Sequence, residues 1–305
     1  MTTAEEQNCP LCGARAAQEI HYPGGEDRPQ QPLRFTRIAL CEACGFGFAL
    51  PKPTQAELDR FYASGSYWTE VGANLPQVMH EKSQCEQRVS ACMPFLEKSA
   101  PLRVLDVGAG HGWTVDWVAR KLPGKVARFD FIEPDDSAAK AIADKRPGFP
   151  LARVHNMSDA KDRYDLIFLN HVLEHVADPL AVIARITDLL TANGIAHIEM
   201  PHADYRFKRD VFPHTLFFTP ASLDKLAQKA GIVQLVCTAF GRSPEEPGSP
   251  WQRRKNWLLQ RLFVLAARHG GWALQRALDH AVWNYGACEP GIWLRWIIAR
   301  PERVR

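Results

Sequence analysis

Residues 104–112 read VLDVGAGHG, an apolar run that passes into a loop with glycine at every second position. The apolar run predicts a short buried strand. Glycines at 108, 110 and 112 let the backbone adopt positive φ angles and approach a ligand closely. The next residues, 113–121, have a helical pattern, and a helix N-terminus offers free N–H groups to a carboxylate or phosphate. The stretch therefore predicts a strand, a ligand-binding loop and a helix in succession.

Strand-like and helical segments alternate after this loop. Helices are predicted at 135–146, from the N-cap Asp178 to Leu190, and at 219–231. Gly194 is expected to close the second of these helices. Further strands are predicted at 126–133, 151–156, 164–170, 195–200, 232–240 and 291–301. This rhythm predicts an α/β fold with a Rossmann-like, doubly wound sheet. Ligands are then expected at the carboxyl ends of the strands.

Glu133 ends the second of these strands, 25 residues after Gly108. A carboxylate at this place can accept hydrogen bonds from both hydroxyls of a ribose. A dinucleotide fingerprint needs the order GxGxxG, but Trp113 occupies the position of the third glycine. The order found is an acid, Asp106, followed by GxGxG. The spacing favours S-adenosylmethionine over a dinucleotide.

Four stretches, VLDVGAGHG, FIEPD, YDLIFLNHVLEHVADP and GIAHIEMP, resemble the motifs of class I S-adenosylmethionine-dependent methyltransferases. The similarity covers about 100–245 and 290–301. It implies that the glycine loop and Asp106 hold the methionine part of the cofactor and that Glu133 holds its ribose. It also implies that Asn156 and Met157 flank the adenine and that Asn170 and His171 face the sulfonium. The implied cofactor-binding residues are Asp106, Gly108, Gly110, Glu133, Asn156, Met157, Asn170 and His171.

Histidines near the carboxyl edge of the sheet are the candidate catalytic residues: His214, His171 and His202. Histidine is the natural general base near neutral pH. His214 is the leading candidate, because PHTLFFTPASL resembles a stretch of methyltransferases acting on sugars and small metabolites, where the histidine lines the substrate pocket. A structural role is the alternative for His214 and His202. The resemblance implies a structural role for Glu174 and His175.

Two Cys-x-x-Cys pairs, CPLCG at 9–13 and CEACG at 41–45, predict a zinc ribbon. Four thiolates satisfy the tetrahedral preference of Zn²⁺ and leave no open position, so the metal is expected to be structural. The predicted zinc ligands are Cys9, Cys12, Cys41 and Cys44. With the FGFALPKPT that follows, this segment resembles the N-terminal part of deoxysugar C-methyltransferases. Tyr62, Tyr67 and Trp68 are candidates to line the substrate pocket from this side.

A helical insertion is predicted before the last strand, at 246–289. Its first part, 251–268, holds five basic residues and no acid between several Trp and Leu residues. Two interpretations stay open. A basic amphipathic helix could rest on a membrane that carries a lipid-linked substrate. The favoured interpretation is a helical pair that caps the active site or contacts another subunit, since such apolar stripes are usually buried.

The predicted organisation is a zinc ribbon at 1–50, a linker and helical cap at 51–98, a cofactor-binding core at 99–245, the insertion at 246–289, and a final strand with a basic tail at 290–305. The polar start of the chain predicts no signal peptide. A cytoplasmic protein is expected, at the inner membrane surface if the insertion binds lipid.

The predicted function is S-adenosylmethionine-dependent methyl transfer to a small molecule or saccharide, as O- or C-methylation, with a sugar nucleotide or a lipid-linked glycan among the acceptors considered. One alternative is an RNA methyltransferase that grips nucleic acid with the ribbon. Residues 9–45 contain four arginines, no lysine and four acids, which weakens it. Another is a non-catalytic zinc scaffold, against which the intact glycine loop and Glu133 argue. The oligomeric state stays open.

Overall fold

The computed structural model describes residues 8–25, 33–63, 75–97, 101–242, 250–269, 271–283, 286–288 and 291–304. The N-terminal part forms three short antiparallel strands, β1 (Gln18–His21), β2 (Arg37–Leu40) and β3 (Gly47–Leu50). Two helices follow, α1 (Gln55–Ala63) and α2 (Leu75–Cys92). A capping box begins α1, because Thr54 N–H donates to Glu57 Oε2 at 2.8 Å and Glu57 N–H donates to Thr54 Oγ1 at 3.3 Å.

The remaining chain supplies the other strands and helices. The strands are β4 (Leu102–Val107), β5 (Val126–Ile132), β6 (Leu151–Arg153), β7 (Tyr164–Asn170), β8 (Leu190–Pro201), β9 (Leu216–Phe217), β10 (Val233–Phe240) and β11 (Trp293–Ala299). The helices are α3 (Trp113–Lys121), α4 (Asp136–Ala143), α5 (Pro179–Leu189), α6 (Pro220–Ala230), α7 (Pro250–His269) and α8 (Trp272–Trp283).

Seven strands form one mixed sheet in the order β6-β5-β4-β7-β8-β11-β10. The first five are parallel neighbours, whereas β11 runs antiparallel between β8 and β10. The predicted Rossmann-like sheet is confirmed, including the final strand beside β8. The strand order changes direction next to β4, so the carboxyl ends of β4, β5 and β7 open on a common crevice.

Apolar side chains alternate between the two faces of this sheet. In β4, Val104 packs with Phe129 and Phe168 beneath α2, α3 and α4, whereas Leu105 packs with Ile167 on the side of α5 and α6. Because successive side chains of a strand point to opposite faces, an uninterrupted apolar run fits a strand covered by helices on both sides. Burial of each such side chain contributes about 1.5–3 kcal/mol.

Gly194 differs from its predicted place. It was expected to end the helix that begins after Asp178, but α5 already ends at Leu189 and Gly194 lies within β8. A Cβ atom at Gly194 would lie 2.7 Å from the carbonyl oxygen of Tyr164 in β7. The glycine therefore permits close packing against a neighbouring strand rather than a helix C-cap.

The N-terminal strands continue into the rest of the protein through β9. A second sheet has the order β1-β2-β3-β9, with Gly47 opposite Phe217 and Phe48 opposite Leu216. Ala49 N–H also donates to Thr215 O at 2.8 Å. The N-terminal module and the segment that follows His214 therefore share one hydrogen-bonded sheet.

The insertion between β10 and β11 contains α7 and α8, as predicted. Its inner contacts reach α2, where His80 Nδ1 lies 2.8 Å from Asp279 Oδ1 and Gln87 Nε2 lies 2.8 Å from His280 Nε2. In the part of the chain that the structure describes, no helix has the length and apolar character needed to cross a bilayer.

Candidate active site

The glycine loop follows β4 and turns into α3. Gly108, Gly110 and Gly112 have φ angles of 73°, 54° and 68°, which L side chains rarely adopt. A Cβ atom at Gly108 would collide with the side chain of Val172, and one at Gly112 would lie 2.8 Å from Ile142. The loop thus needs glycine for its conformation as well as for space, and it exposes backbone to the crevice.

Glu133 stands directly after β5 and is held by the glycine loop. Its Oε2 accepts a hydrogen bond from Gly110 N–H at 2.8 Å, and its Oε1 accepts one from Asp135 N–H at 3.0 Å. Burial raises the pKa of Glu133, although both of these N–H donors act in the opposite direction. Each carboxylate oxygen has a second lone pair, so Glu133 retains acceptor capacity for two hydroxyl groups.

Asp106 is the last acid before the loop, and it is 2 % exposed. Its Oδ2 has no hydrogen-bond partner among the described residues. Burial raises the pKa of Asp106 to about 7, with Thr114 and Arg88 acting in the opposite direction. A buried carboxylate oxygen without a partner needs a cationic or hydrogen-bonding group to complete it.

Asp106, the glycine loop and Glu133 together fit the cofactor that the motifs imply. S-adenosylmethionine carries an ammonium group, a carboxylate and a ribose with two hydroxyls. The unpartnered Oδ2 of Asp106 suits the ammonium side, the N-terminus of α3 suits the carboxylate, and Glu133 suits the ribose. The fit rests on complementary charge and on the space that the glycines leave.

Asn156 and Met157 follow β6 at the same edge. The predicted third strand was too long, because β6 ends at Arg153 and a turn occupies 156–159. The side chain of Asn156 caps this turn by accepting from Asp159 N–H at 3.1 Å, while Met157 is half-buried and its carbonyl accepts from Arg185. Their predicted contact with adenine stays a prediction.

Asn170 ends β7 and is 9 % exposed. Its Oδ1 lies 2.9 Å from His197 Nδ1, and its Nδ2 has no hydrogen-bond partner in the described chain. Burial lowers the pKa of His197 to about 3, so the imidazole is neutral near pH 7 and can donate from Nδ1. The buried histidine orients the amide of Asn170 towards the end of the sheet.

His171 follows Asn170 with a φ of 54°. A left-handed conformation is uncommon for a residue other than glycine, and here His171 N–H donates to Glu199 O at 2.8 Å. Its Nδ1 lies 3.2 Å from Glu174 Oε1. Burial opposes ionisation of Glu174, yet this contact and the charges of nearby histidines lower the pKa of Glu174 to about 2.

His214 lies against a buried carboxylate that the sequence did not single out. Its Nδ1 is 3.0 Å from Asp204 Oδ2, and Asp204 is 1 % exposed. Burial opposes ionisation of Asp204, but His214 and Lys208 hold the pKa of that carboxyl well below its usual range. The two atoms lie at ion-pair distance without the alignment of a hydrogen bond.

Glu174, His175 and His214 form one cluster, with ligand atoms within 4.8 Å of one another. The rings of His175 and His214 are 4.9 Å apart, and the ring of Tyr62 stands edge-on to His175 at 5.5 Å. Burial lowers the pKa of His175 to about 3. This geometry could hold a metal ion through two imidazoles and a carboxylate, or it could serve proton transfer. Tyr67 and Trp68 lie outside the described residues.

The N-terminal module holds the backbone at His214. Tyr22, fully buried, donates its hydroxyl to His214 O at 2.9 Å, and Thr215 N–H donates to Glu174 O at 2.8 Å. The strand pairing of β9 begins two residues after His214.

Neither Tyr22 nor Asp204 belongs to a sequence motif. Asp204 could nevertheless have been suspected, because it follows the carboxyl end of β8.

His202 has a different environment. It is 8 % exposed, its Nδ1 lies 2.8 Å from Gly291 O, and its own N–H donates to Ile292 O at 2.9 Å. These contacts fasten the end of β8 to the chain before β11. The contacts that join His171, Glu174, His175 and His214 do not involve His202.

The four predicted zinc ligands come together as expected. The Sγ atoms of Cys9 and Cys44 are 3.7 Å apart, and those of Cys12 and Cys41 are 3.4 Å apart. Four thiolates at about 2.3 Å from Zn²⁺ would be separated by about 3.8 Å, so the cluster has the size of a tetrahedral site. Gly13 and Gly45 close the two knuckles with φ angles of 78° and 69°.

Comparison with known proteins agrees with this geometry. Residues 79–287 match the family model described as a methyltransferase domain. The ubiquinone biosynthesis O-methyltransferase of Dinoroseobacter shibae is 30% identical over 150 residues, 43% of this chain and 60% of that protein. Its counterpart from Rhodopseudomonas palustris is 30% identical over 159 residues, 48% of this chain and 61% of that protein. The chain thus spans about three fifths of the relatives' length.

A solved structure shows the same fold at lower identity. The plantazolicin methyltransferase BpumL, in complex with SAH, is 11% identical, with 80% of this chain and 95% of that chain covered at a TM-score of 0.50. The family model covers more than half of the chain, including the glycine loop, Glu133 and the histidine cluster. The chain therefore belongs to the methyltransferase domain family.

Proposed function

We propose that the protein transfers a methyl group from S-adenosylmethionine to a hydroxyl group of a small molecule. The observation that carries this proposal is the convergence of two sets of residues at one edge of the sheet. Asp106, the glycine loop and Glu133 suit the cofactor, and His171, Glu174, His175 and His214 follow the neighbouring strands. The O-methyltransferase names of the partial relatives support a hydroxyl acceptor.

S-adenosylmethionine, when bound, supplies an electrophilic methyl group on its sulfonium. The protein has to hold the acceptor oxygen in line with that methyl group, and alignment provides much of the acceleration in such a displacement. The hydroxyl proton has to leave as the new C–O bond forms. His214 is proposed to take it on Nε2, while the carboxylate of Asp204, 3.0 Å from Nδ1, stabilises the imidazolium that results.

His171 is proposed to face the sulfonium side together with Asn170. Its left-handed backbone and its contact with Glu174 keep the imidazole at the end of β7. Asn170, oriented by His197, retains an amide Nδ2 without a partner in the described chain and could hydrogen-bond to the cofactor or the acceptor. Asn156 and Met157 remain proposed neighbours of the adenine. No catalytic role is proposed for His202, because its ring and its backbone N–H bind the carbonyl groups of Gly291 and Ile292 before β11.

The four-cysteine cluster is proposed to bind a structural Zn²⁺. The knuckles leave no open coordination position, so the metal contributes no reacting group. Its effect on the reaction would be indirect, through the sheet that β3 shares with β9 and through the bond from Tyr22 to His214 O. Zinc would thus fold a module that positions the proposed base.

Saccharides remain a second acceptor class, because the four-cysteine module resembles that of deoxysugar C-methyltransferases. An RNA acceptor is less well supported, since residues 9–45 balance four arginines with four acids. O-methylation removes a proton from a hydroxyl group, and C-methylation next to a ketone removes one from carbon, so both reactions need a base. The Asp204–His214 pair is proposed to serve in either case.

The test has two stages. Calorimetry should show S-adenosylmethionine binding with a Kd below 1 mM, which corresponds to about −4 kcal/mol. Transfer of a labelled methyl group is then measured with phenolic, sugar-nucleotide and RNA acceptors. Labelling of a phenolic or sugar hydroxyl supports the proposal. A protein that fails to bind the cofactor at 1 mM, or that labels RNA alone, would contradict it.

A further inference from the structure

Exposed apolar side chains concentrate on the helical insertion. Of the seven large apolar side chains that are exposed among the described residues, five belong to α7 and α8 and only two, Met93 and Phe207, lie elsewhere. The five are Trp257, Leu258, Leu262, Leu265 and Leu274. Trp257 is 55 % exposed and Leu265 is 56 % exposed. Contiguous apolar surface of this kind usually marks an interaction site.

The exposed side chains of α7 share one face of the helix. Trp257, Leu258, Leu262 and Leu265 are separated by one, four and three positions, which places them on the same side of a helix with about 3.6 residues per turn. Phe263 and Ala266 point the other way and are buried. Gln275 of α8 donates to Ala266 O at 2.9 Å, which fixes the inner side of α7 to its neighbour.

Basic side chains stand between the apolar ones on this outer face. Arg254, Arg261 and Arg268 recur every seven residues and are exposed. The guanidinium of Arg261 lies 4.3 Å from the centroid of the Trp257 ring. Residues 251–268 contain no acid. Long arginine side chains can lie along apolar surface while their charge reaches a polar layer.

The charge pattern decides which partner suits this face. A second copy related by a twofold axis would bring arginine against arginine without an acid to pair with, so self-association is disfavoured. A nucleic acid would satisfy the arginines, but it would leave Leu258, Leu262 and Leu265 against a phosphate backbone. An anionic bilayer surface can bind both the apolar and the basic side chains, because leucine and tryptophan enter the acyl boundary while arginine contacts the lipid phosphates.

We propose that the outer face of α7, comprising Arg254, Trp257, Leu258, Arg261, Leu262, Leu265 and Arg268, docks the protein on an anionic lipid bilayer. The helix would lie flat in the interface, since it is too polar to cross it. The inner side of the insertion is fastened to α2 through His80 and Asp279. In α2, Glu81 also contacts His111 of the glycine loop at 3.0 Å, so this surface is connected to the cofactor end of the protein. The proposal does not depend on which acceptor is methylated.

The test is cosedimentation of the full chain with vesicles of phosphatidylcholine alone and with about one third phosphatidylglycerol. The wild type should bind only the anionic vesicles, and binding should weaken as salt rises. Each cation near such a surface contributes about fivefold, so R254Q/R261Q/R268Q should weaken binding about a hundredfold. W257A/L265A should weaken it at least about tenfold. All of these residues are exposed, so thermal melting should stay close to wild type.

Matched variants control for charge and for apolar area. Lys125, Lys140 and Lys229 are exposed on other elements, and K125Q/K140Q/K229Q removes the same charge as the arginine variant. Met93→Ala removes an exposed apolar side chain that is 44 % exposed. Both controls should bind vesicles like the wild type. The proposal is overturned if the wild type ignores anionic vesicles, or if the controls lose binding as strongly as the α7 variants. It is also overturned if W257A/L265A abolishes a dimer or RNA binding while vesicles are not bound.

Discussion

Among the residues that the structure describes, two clusters of side chains could bind metal, and their ligand groups differ. Cys9, Cys12, Cys41 and Cys44 form a closed set of four thiols on two glycine knuckles. Glu174, His175 and His214 form an open set of three different groups at the end of the main sheet. The first cluster is complete in itself. The second has neighbours, Asp204 and His171, that bring further charge to it.

This difference indicates that the four-cysteine cluster serves folding and that the cluster of Glu174, His175 and His214 serves the reaction. A closed tetrahedral site stabilises the segments that supply its ligands and offers no place for a substrate. In the open cluster the pKa values of Glu174 and His175 are both lowered, and perturbed pKa values are typical of functional sites. The two clusters are nevertheless connected, because β3 pairs with β9 directly after His214. Variants of each cluster should therefore affect different quantities, and the connection should be measurable.

The largest effect is expected from Cys41→Ser. Structural zinc contributes about 10 kcal/mol or more to folding in zinc-finger peptides. Loss of one ligand should release zinc and unfold the N-terminal sheet, which lowers the Tm by more than about 10 °C. Zinc content and melting are measured on the same sample. Cys237→Ser, a half-buried cysteine of β10, is the control and should shift the Tm by less than about 4 °C. A variant without zinc that melts like the wild type would refute the structural role.

His214→Gln should have the next largest effect, now on catalysis. Loss of a general base typically costs about 10²–10⁴ in rate. We expect kcat to fall in that range, with little change in the affinity for S-adenosylmethionine. Asp204→Asn should lower kcat less and change its pH profile, because Asp204 acts through His214. His202→Gln provides the comparison. If it lowers kcat more than His214→Gln does, the base is assigned wrongly.

Glu133→Gln should weaken cofactor binding about 10–100-fold, since a hydrogen bond to a charged group is worth about 1.5–3 kcal/mol. Calorimetry with S-adenosylmethionine measures this directly. Asp135→Asn is the matched control two residues away, because Asp135 caps α4 by accepting from Ala138 N–H at 2.8 Å. It should leave the cofactor affinity within about threefold. Equal losses for the two variants would show that Glu133 acts only by shaping the loop.

Cofactor affinity should also depend on pH through Asp106. Burial raises the pKa of Asp106 to about 7 in the cofactor-free protein. An ammonium group nearby favours the carboxylate, so binding should release a proton and strengthen by up to about tenfold per pH unit towards pH 7. Above pH 7 the affinity should level. Asp106→Asn should flatten the profile, and a wild-type affinity that is constant from pH 5 to 8 would contradict the assignment.

Without cofactor, the ionisation of Asp106 has the opposite effect on stability: the free energy of unfolding falls as the pH rises, whereas the affinity for the cofactor increases. Because the pKa of Asp106 is higher in the folded protein than in the unfolded chain, this group contributes stability below its unfolded pKa of about 4. That contribution is lost as the pH rises through about 7. Saturating S-adenosylmethionine should prevent this loss of stability. The difference between the Tm with cofactor and the Tm without it should therefore increase as the pH rises.

The smallest effect concerns the contact between the zinc knuckle and the main fold. Thr219 caps α6, and its hydroxyl also donates to Gly45 O at 3.3 Å. Thr219→Ala should destabilise the protein by about 1 kcal/mol from the cap, with a further loss from the second bond. Thr54→Ala, which removes the cap of α1 without a contact to the knuckle, is the reference. Equal losses would mean that the bond to Gly45 adds nothing.

Much of the fold could be predicted from local patterns. The apolar runs and the capping residues placed the seven strands of the main sheet to within a few residues, because strand and helix periodicities are local properties. Gly194 was misassigned, because a glycine needed for close packing looks the same in sequence as one needed for a helix end. The division of the chain into five segments stays a prediction.

The candidate site was predictable only in part. The glycine loop and Glu133 follow a spacing that a ligand imposes on contiguous chain, and the four cysteines follow a spacing that a metal imposes. Asp204 and Tyr22 could not be found in this way, since their contacts with His214 join segments 10 and 192 residues apart. No short motif records such a pairing.

The amino-acid sequence on its own specified the Rossmann-like sheet, the glycine loop with its partner acid, and the thiols of the N-terminal module. Each of these depends on residues close together in the chain or on a repeated spacing. The tertiary structure decided that β9 extends the N-terminal sheet, that Asp204 lies against His214, and that α7 presents Trp257 and its neighbours to solvent. These outcomes depend on packing between distant segments, where many competing arrangements share the same local pattern and only the folded chain selects one.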